Sequence, residues 1–591
     1  MGEYQNNIYR FIVSSLVSDD PRSISLLANA RSLGFFSIDK IECQDLYFIE
    51  GLLNPLECRR LAEDLLSDPV TQQVQWQEIK PETVTPTGSP AAGIVEVALR
   101  PGVTDPVAAE IVRAAHEIGI EGLKRASSGF RYLIKNKSGS DQETHELARR
   151  LLTNPVIHRY SLGAIDPVFP QEAEVNDFTE MLPVRRMSPQ QLLDLSVERR
   201  AALDLNEMLA IQAYCKQEDR DLSDIEFEMI AQTWSEHCVH KTFKAQVDIQ
   251  SHLVDPLVTQ HYPGLKVNNV MKTYLKAATD RINAPWVRSA FVDNAGILDL
   301  DGKNEVSFKV ETHNHPSAIE PFGGANTGVG GVIRDVIGVS AKPIAVTDIL
   351  CFGPQDQAID QLPEGVLHPQ RIMSGVVAGV QDYGNKIGIP TVNGAVLFDP
   401  GFTSNPLVFC GCVGIAPQNK HPRSPQAGDR VIVIGGRTGR DGLRGATFSS
   451  MTMDAQTGEV SGASVQIGVP ITEKGLIDVT LIARDEGLYN AITDCGAGGL
   501  SSAVGEMAST CGGEIDLSSV KLKYSGLSPW EVWLSEAQER MVMAVSPANL
   551  PRLQEICDTY SVELTDIGAF NTSGRLLVRF AQKVILNLDN Q

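Results

Sequence analysis

The sequence predicts a multidomain chain of mixed α/β and α+β type. Three observations predict it. After residue 300, short apolar strands alternate with helical stretches and glycine-rich joints. Before residue 161, one strand-and-helix pattern occurs twice. Between them, residues 161–230 are polar with helical periodicity. The chain has 591 residues, 42% of them hydrophobic and 21% charged, enough for several cores.

Taken in order, residues 1–160 open with the repeat. LAEDLLSDPV at 61–70 returns as LARRLLTNPV at 147–156, and Asp20-Pro21 returns as Asp105-Pro106, offsets of 85–86 residues. Each copy reads strand, helix, strand, strand, helix. Two small units, each with a naked sheet face or edge, would pair into a pseudo-dimer. Residues 80–92, with three Pro and three Thr, read as the connector. This part carries no catalytic constellation, so its expected role is docking or structural.

Residues 161–230 read as a helical linker domain. Ser188-Pro189 suits an N-cap followed by proline at the first helical position. A further helix from Asp224 to about Phe243 ends in Glu236, His237, His240 and Lys241. The spacing of His237, Cys238 and His240 matches no usual zinc pattern.

The densest chemistry lies at 306–335. Val306, Phe308 and Val310 alternate with Ser307, Lys309, Glu311, His313 and His315. In a strand, residues two apart share a face, so one face would enter a core and the other would present amine, carboxylate and two imidazoles. Pro316 would end the strand. Gly323, Gly324, Gly328, Gly330 and Gly331 read as a turn whose amides could close around phosphate, and Arg334-Asp335 adds a guanidinium and a Mg²⁺-type oxygen ligand. An HxH pair alone suits a plain polar strand, and glycines alone suit turns. An exposed structural strand, however, needs no four reactive groups in succession, so the combination points to a nucleotide and Mg²⁺ site.

Farther on, residues 417–429 break the pattern and suggest a domain boundary. Gly435 to Gly445, with Arg437, Arg440 and Arg444, reads as a second glycine turn, either anion-binding or a plain strand-to-helix joint. Residues 472–486 read as a long helix. Asp494 stands at a strand end before glycines, and Glu536 and Gln538 precede an apolar strand.

A net charge of −22 argues against nucleic-acid and anionic-membrane surfaces. No apolar run is long enough to span a bilayer, MGEYQNN is not a signal peptide, and ten scattered cysteines suit a reduced, cytoplasmic setting.

AQTWSEHCVHKTF, VETHNHPSAIEPFGGANTGVGG, GGRTGRDG, DCGAGGL and LSEAQER together resemble the phosphoribosylformylglycinamidine (FGAM) synthases of purine biosynthesis. The resemblance runs through most of 225–591. The repeat is similar to the family's small companion subunit, doubled and fused.

The resemblance implies an AIR-synthetase-like two-lobe module: a half-barrel lobe over 231–417 and an α/β sandwich lobe over 425–591. It implies that formylglycinamide ribonucleotide (FGAR), ATP and ammonia become the amidine, ADP and phosphate in the cytoplasm. ATP would phosphorylate the amide oxygen, and ammonia would displace the phosphate. Carried over by position, His313 would be the proton acceptor and His237 the second catalytic histidine. Lys309 and His240 would face ATP, and Glu311, Asp335 and Asp494 would hold Mg²⁺. Thr312, His313, Asn314, His315, Arg334, Gln466, Glu536, Ala537 and Gln538 would line the substrate. The short family forms have Tyr where His240 stands and Ser where Ala537 stands.

Family members carry the module twice. One copy is legible here, and no glutaminase domain. The resemblance therefore implies a split enzyme, with the second module and a glutaminase on separate chains, or a homodimer that completes its own site. A non-catalytic subunit that docks the glutaminase, and another ATP-dependent small-molecule enzyme of the superfamily, stay open.

Overall fold

A computed structural model describes residues 7–17, 20–79, 93–100, 103, 105–154, 157–169, 176–249, 265–454, 466, 468–523 and 526–590. They form two compact units, one mainly from residues 1–172 and one mainly from residues 173–591. The connector expected at 80–92 lies outside the described residues.

In the first unit each copy runs strand, helix, strand, helix, strand. The elements are β1 (Asn7–Ser15), α1 (Pro21–Ser32), β2 (Ile38–Gly51), α2 (Pro55–Arg60) and β3 (Gln72–Ile79), then β4 (Ile94–Leu99), α3 (Pro106–Glu117), β5 (Leu123–Asn136), α4 (Asp141–Leu147) and β6 (His158–Leu162). This corrects the expected order. No glycine or proline interrupts β2 before its last residue, so two expected strands are one of 14 residues. Asp20 and Asp105 cap α1 and α3, accepting from the Ser23 and Ala108 N–H groups, each followed by proline.

The sheet order is β3-β1-β2-β5-β4-β6. The copies join through antiparallel β2 and β5, from Ile38 opposite Asn136 to Gly51 opposite Leu123. Each copy's edge is thereby covered by the other's. One core mixes Leu61 with Ile111 and Ala115, and the other mixes Ala30 with Leu147. Both cores draw on both copies, so neither copy closes a core alone.

The second unit begins with helices α5 (Pro189–Glu198), α6 (Leu205–Gln217) and α7 (Asp224–Thr233) around Leu192, Met208, Ile211 and Phe227. Ser188 and Gln191 form a capping box on α5. The long helix expected from Asp224 ends at Thr233. Two short turns follow, Glu236–Val239 and Lys241–Lys244, because Ser235 accepts from the Cys238 N–H and His240 adopts a left-handed φ of 56°.

Next comes an open six-stranded sheet. Its order is Val287–Ser289, Gly296–Asp299, Asn304–Thr312, Leu407–Pro417, Lys342–Phe352 and Thr391–Phe398, with only the last pair parallel. Helices Pro321–Gly338 and Pro369–Ile387 supply its core partners Val329, Val332, Ile333, Ile372 and Val376. The strand Asn304–Thr312 sends its polar side toward helix Pro321–Gly338, where Lys309 meets Asp335. Its apolar side does not enter a core, contrary to expectation. Phe308 is 48% exposed, Leu298 and Ile349 are exposed likewise, and all eight residues of the edge strand Thr391–Phe398 are exposed.

A seven-stranded open sheet follows, in the order Ala491–Asp494, Arg540–Val545, Arg430–Gly435, Leu564–Phe570, Gly513–Asp516, Arg575–Phe580 and Lys583–Asp589. Helices Pro470–Glu486 and Leu550–Thr559 pack on one face, and Gly499–Ala508 and Pro529–Leu534 on the other. One apolar cluster contains Val329 and Ile333 of the first lobe with Ile432, Leu476 and Met541 of the second, so the lobes share a core. No described helix is long and apolar enough to cross a membrane.

Candidate active site

The strand Asn304–Thr312 stops one residue before His313, whose backbone (φ −128°, ψ 54°) turns the chain into a short helix, Asn314–Ile319. Pro316 lies inside that helix, so His315 is not on the strand as expected. The Asn314 side chain accepts from the Val408 N–H at 2.8 Å and fixes the corner to the neighbouring strand. His315 packs edge-on to Phe448, its ring nitrogen 3.2 Å from the Met451 carbonyl.

The glycine-rich stretch is not a turn. It is the 18-residue helix Pro321–Gly338, almost wholly buried. Its glycines serve close approach rather than phosphate binding. A Cβ on Gly324 would sit 2.4 Å from the Ser317 nitrogen. One on Gly328 would sit 3.1 Å from the Cys410 sulfur and the His313 Cβ, and one on Gly330 would sit 2.5 Å from the Tyr383 hydroxyl. Without side chains, the helix lies against the strand end and brings Arg334 and Asp335 to Lys309 and Glu311.

Lys309 Nζ is 3.1 Å from Glu311 and 3.2 Å from Asp335. Arg334 Nη1 donates to Glu473 at 3.0 Å, and its Nε lies 3.8 Å from Asp494. Asp494 also accepts from Asn294 at 2.9 Å. Lys309, Glu311, Arg334, Asp335 and Asp494 thus form one charged group from both lobes. Burial, then Asp494 and Glu311, push the Asp335 carboxyl well above the usual carboxylate range. Burial also raises Asp494, against the pull of Arg334. Burial would lower Lys309, but Asp335 and Glu311 hold its pKa up.

The histidines behave differently. Burial lowers His313 to about 4, against the pull of Glu311. His313 Nδ1 is buried without a hydrogen-bond partner. Burial lowers His237 as well, and its neighbours by charge include Glu311 and Lys309. Both imidazoles are therefore neutral near pH 7, with a lone pair available. Solvent reaches Glu311, Thr312, His237 and His240.

The remaining predicted residues form a second, closed polar group. Glu536 accepts from the Gln232 and Gln466 side chains, both at 2.8 Å, and from the Gly498 and Ala446 N–H groups. Gln538 donates to Gln466 at 2.7 Å. Ala537 is fully buried, its N–H on Ser535 and its carbonyl on Arg540. These groups bond one another, and Gln538 Oε1 is left buried without a partner. The glycine turn after Arg430–Gly435 does form, but its arginines are occupied: Arg437 by Glu563, Arg440 by Glu531 and Arg444 by Glu228, at 2.6–2.9 Å. That argues against an anion site there. Burial raises the Cys238 thiol to about 11, leaving no thiolate nucleophile.

Among the described residues, no three His, Cys, Asp or Glu side chains stand close enough to hold a metal. Glu311, Asp335 and Asp494 are nonetheless oxygen donors: Asp494 and Glu311 raise Asp335 and Glu311 raises Asp494, a repulsion that a hard cation would relieve.

Sequence reasoning missed Glu473, Tyr383 and Glu539, all buried here. A signal existed. Glu473, Leu476, Ile477 and Thr480 share one helix face, so a carboxylate sits on a buried stripe. Tyr383 likewise continues the stripe Ile372, Val376, Gly379.

Four family models match the chain: the AIR synthase related protein N-terminal domain at 292–416 and C-terminal domain at 426–579, the formylglycinamide ribonucleotide amidotransferase linker domain at 192–241, and phosphoribosylformylglycinamidine (FGAM) synthase, PurS, at 93–165. The last covers only the second repeat, although the first has the same topology. The phosphoribosylformylglycinamidine synthase subunit PurL of Thermoplasma volcanium is 37% identical over 412 residues, 69% of this chain and 50% of that protein. Its counterpart in Thermoplasma acidophilum is 40% identical over 392 residues, 66% of this chain and 47% of that one. The chain thus spans about half the length of these relatives. T. maritima PurL complexed with FGAR superposes with a TM-score of 0.51 at 30% identity, covering 64% of this chain and 55% of that one.

Proposed function

Because this chain is a PurL-like member of the AIR synthase-related proteins, we propose that it is the first-half synthetase subunit of a split FGAM synthase. It converts FGAR to the amidine with ATP and ammonia from glutamine. The observation that carries this reading is the neutral His313 at the end of the strand that sets Lys309 and Glu311 beside Asp335, with Arg334 and Asp494 adjoining.

Lys309 binds the nucleotide phosphates, and His240 faces the nucleotide. His313 takes a proton from the reacting nitrogen, and His237, which shares Glu311 with it as a charged neighbour, assists. Thr312, Asn314 and His315 orient FGAR, with Arg334 behind them. Gln466, Glu536, Ala537 and Gln538 shape the wall on the second lobe. Phosphorylation of the amide oxygen turns a poor leaving group into phosphate, and ammonia then displaces it. Glu311, Asp335 and Asp494 are the residues that would hold Mg²⁺, which supplies charge neutralisation at the phosphates.

The partner assignment is supported by the uncovered apolar sheet face. Phe308, Leu298 and Ile349 with the exposed strand Thr391–Phe398 make a patch of the kind that marks an interface. A second synthetase module on another chain covers it, or a second copy of this chain does, and a glutaminase subunit delivers ammonia. Ten unpaired cysteines support a cytoplasmic setting.

The test is ADP release that depends on both FGAR and ammonium, with the second-module chain present. His313→Ala should lose turnover and keep nucleotide binding. Full activity in that variant refutes the assignment.

A further inference from the structure

Behind Arg334 lies a buried chain of groups with no role assigned so far. The Tyr383 hydroxyl is 2.7 Å from Glu473 Oε2 and 3.0 Å from Glu539 Oε1. Arg334 Nη1 donates to the same Glu473 oxygen at 3.0 Å. None of the four residues is more than 2% exposed. A slot has been built for the phenol. A Cβ on Gly330 would lie 2.5 Å from the Tyr383 hydroxyl, and one on Gly468 would lie 2.9 Å from the Tyr383 ring and 3.0 Å from Glu539 Oε1.

A phenol has one proton and can donate to one carboxylate only. Its other short contact must then be one it accepts, so one of the two carboxyl groups carries a proton. Burial raises both carboxyls, Glu473 to about 8, which keeps a proton in the trio at neutral pH. The chain runs Glu539, Tyr383, Glu473, Arg334, with the phenol held between the two carboxyl groups. Arg334 Nε, buried and without a hydrogen-bond partner, lies 3.8 Å from Asp494.

We propose that Tyr383, Glu473 and Glu539 are positioning residues for Arg334, holding its guanidinium by a buried hydrogen-bonded chain that shares one proton. This rests on the reading of Arg334 as an FGAR contact. Tyr383 does not touch substrate. It fixes the rotamer of Glu473, which in turn fixes the guanidinium plane.

The experiment uses the assembled enzyme with Tyr383→Phe, Glu473→Gln and Glu539→Gln. Tyr383→Phe removes one hydroxyl and keeps the ring in its slot, so it folds even if Glu473→Gln does not. It should raise KM for FGAR about tenfold, the worth of one hydrogen bond in a charged network, with KM for ATP little changed. An unchanged KM for FGAR overturns the positioning role. The proton is read separately, without substrate, by infrared difference spectra of wild type against Tyr383→Phe at neutral pH. A protonated-carboxyl band that shifts in the variant is the result expected. No difference in that region overturns the shared proton. If wild type shows no FGAR-dependent turnover, the functional reading fails, and the infrared result still decides the chain.

Discussion

His313 can accept a proton only while neutral, and its burial secures that. An ordinary imidazole titrates near 6.5, and His313 titrates near 4. Turnover limited by this base should hold as pH falls through about 6 and decline only toward about 4, which a pH profile of kcat/KM reads directly. Stability carries the same signature. Between those two pKa values the unfolded chain binds more protons than the folded one, so stability falls with acid across that window. His313→Gln should flatten part of that fall, seen as urea midpoints at about pH 7 and about pH 5. Glu536 is also pushed toward its neutral form, burial raising it to about 7 against the pull of four donors. Glu536→Gln turns an amide donor toward them and should cost about 1–3 kcal/mol, measured by denaturant unfolding. At this scale the sequence revealed the reactive types at 309–315 and Asp494, because strand alternation and glycine neighbours are local signals. It concealed that Glu536 and Gln538 both bond Gln466, and Glu536 also Gln232, because those partners lie far away in the chain.

The helix Pro321–Gly338 teaches the clearest lesson among the elements. Five glycines read as a turn, since glycine in isolation disfavours helix by about 1 kcal/mol. Tertiary contact reverses that judgement. At Gly324 the space is already filled by the Pro316–Ser317 backbone, with a Cβ only 2.4–2.6 Å from it. Gly324→Ala should therefore lower the melting temperature despite alanine's better helix propensity. Gly331 has nothing nearer than 3.9 Å, so Gly331→Ala should gain up to about 1 kcal/mol. The pair, measured side by side by calorimetry, separates packing from propensity; equal effects contradict the close-approach account. The repeat units show the same limit. The Asp-Pro pairs marked the repeat without revealing that each aspartate caps a helix, and the merger of two expected strands into β2 depends on pairing along the whole length of β5.

For the molecule as a whole, the two-lobe order and the preceding repeat were legible from long motifs in sequence order. The shared core of the lobes was not, because Val329 and Met541 meet only in space. Nor was the fate of Val306, Phe308 and Val310, whose alternation predicts a buried face without saying which chain buries it. Phe308→Lys should leave the circular dichroism of this chain unchanged and weaken its association with the second module at least about tenfold, by sedimentation. Unaltered association would remove that face as the interface. The central claim is chemical: the substrate's own amide oxygen leaves on phosphate. FGAR labelled with ¹⁸O at that oxygen, turned over with ATP and ammonium by the assembled enzyme, tests it most directly by mass spectrometry of the products. Label recovered in inorganic phosphate is the result expected, and unlabelled phosphate formed alongside the amidine would contradict it.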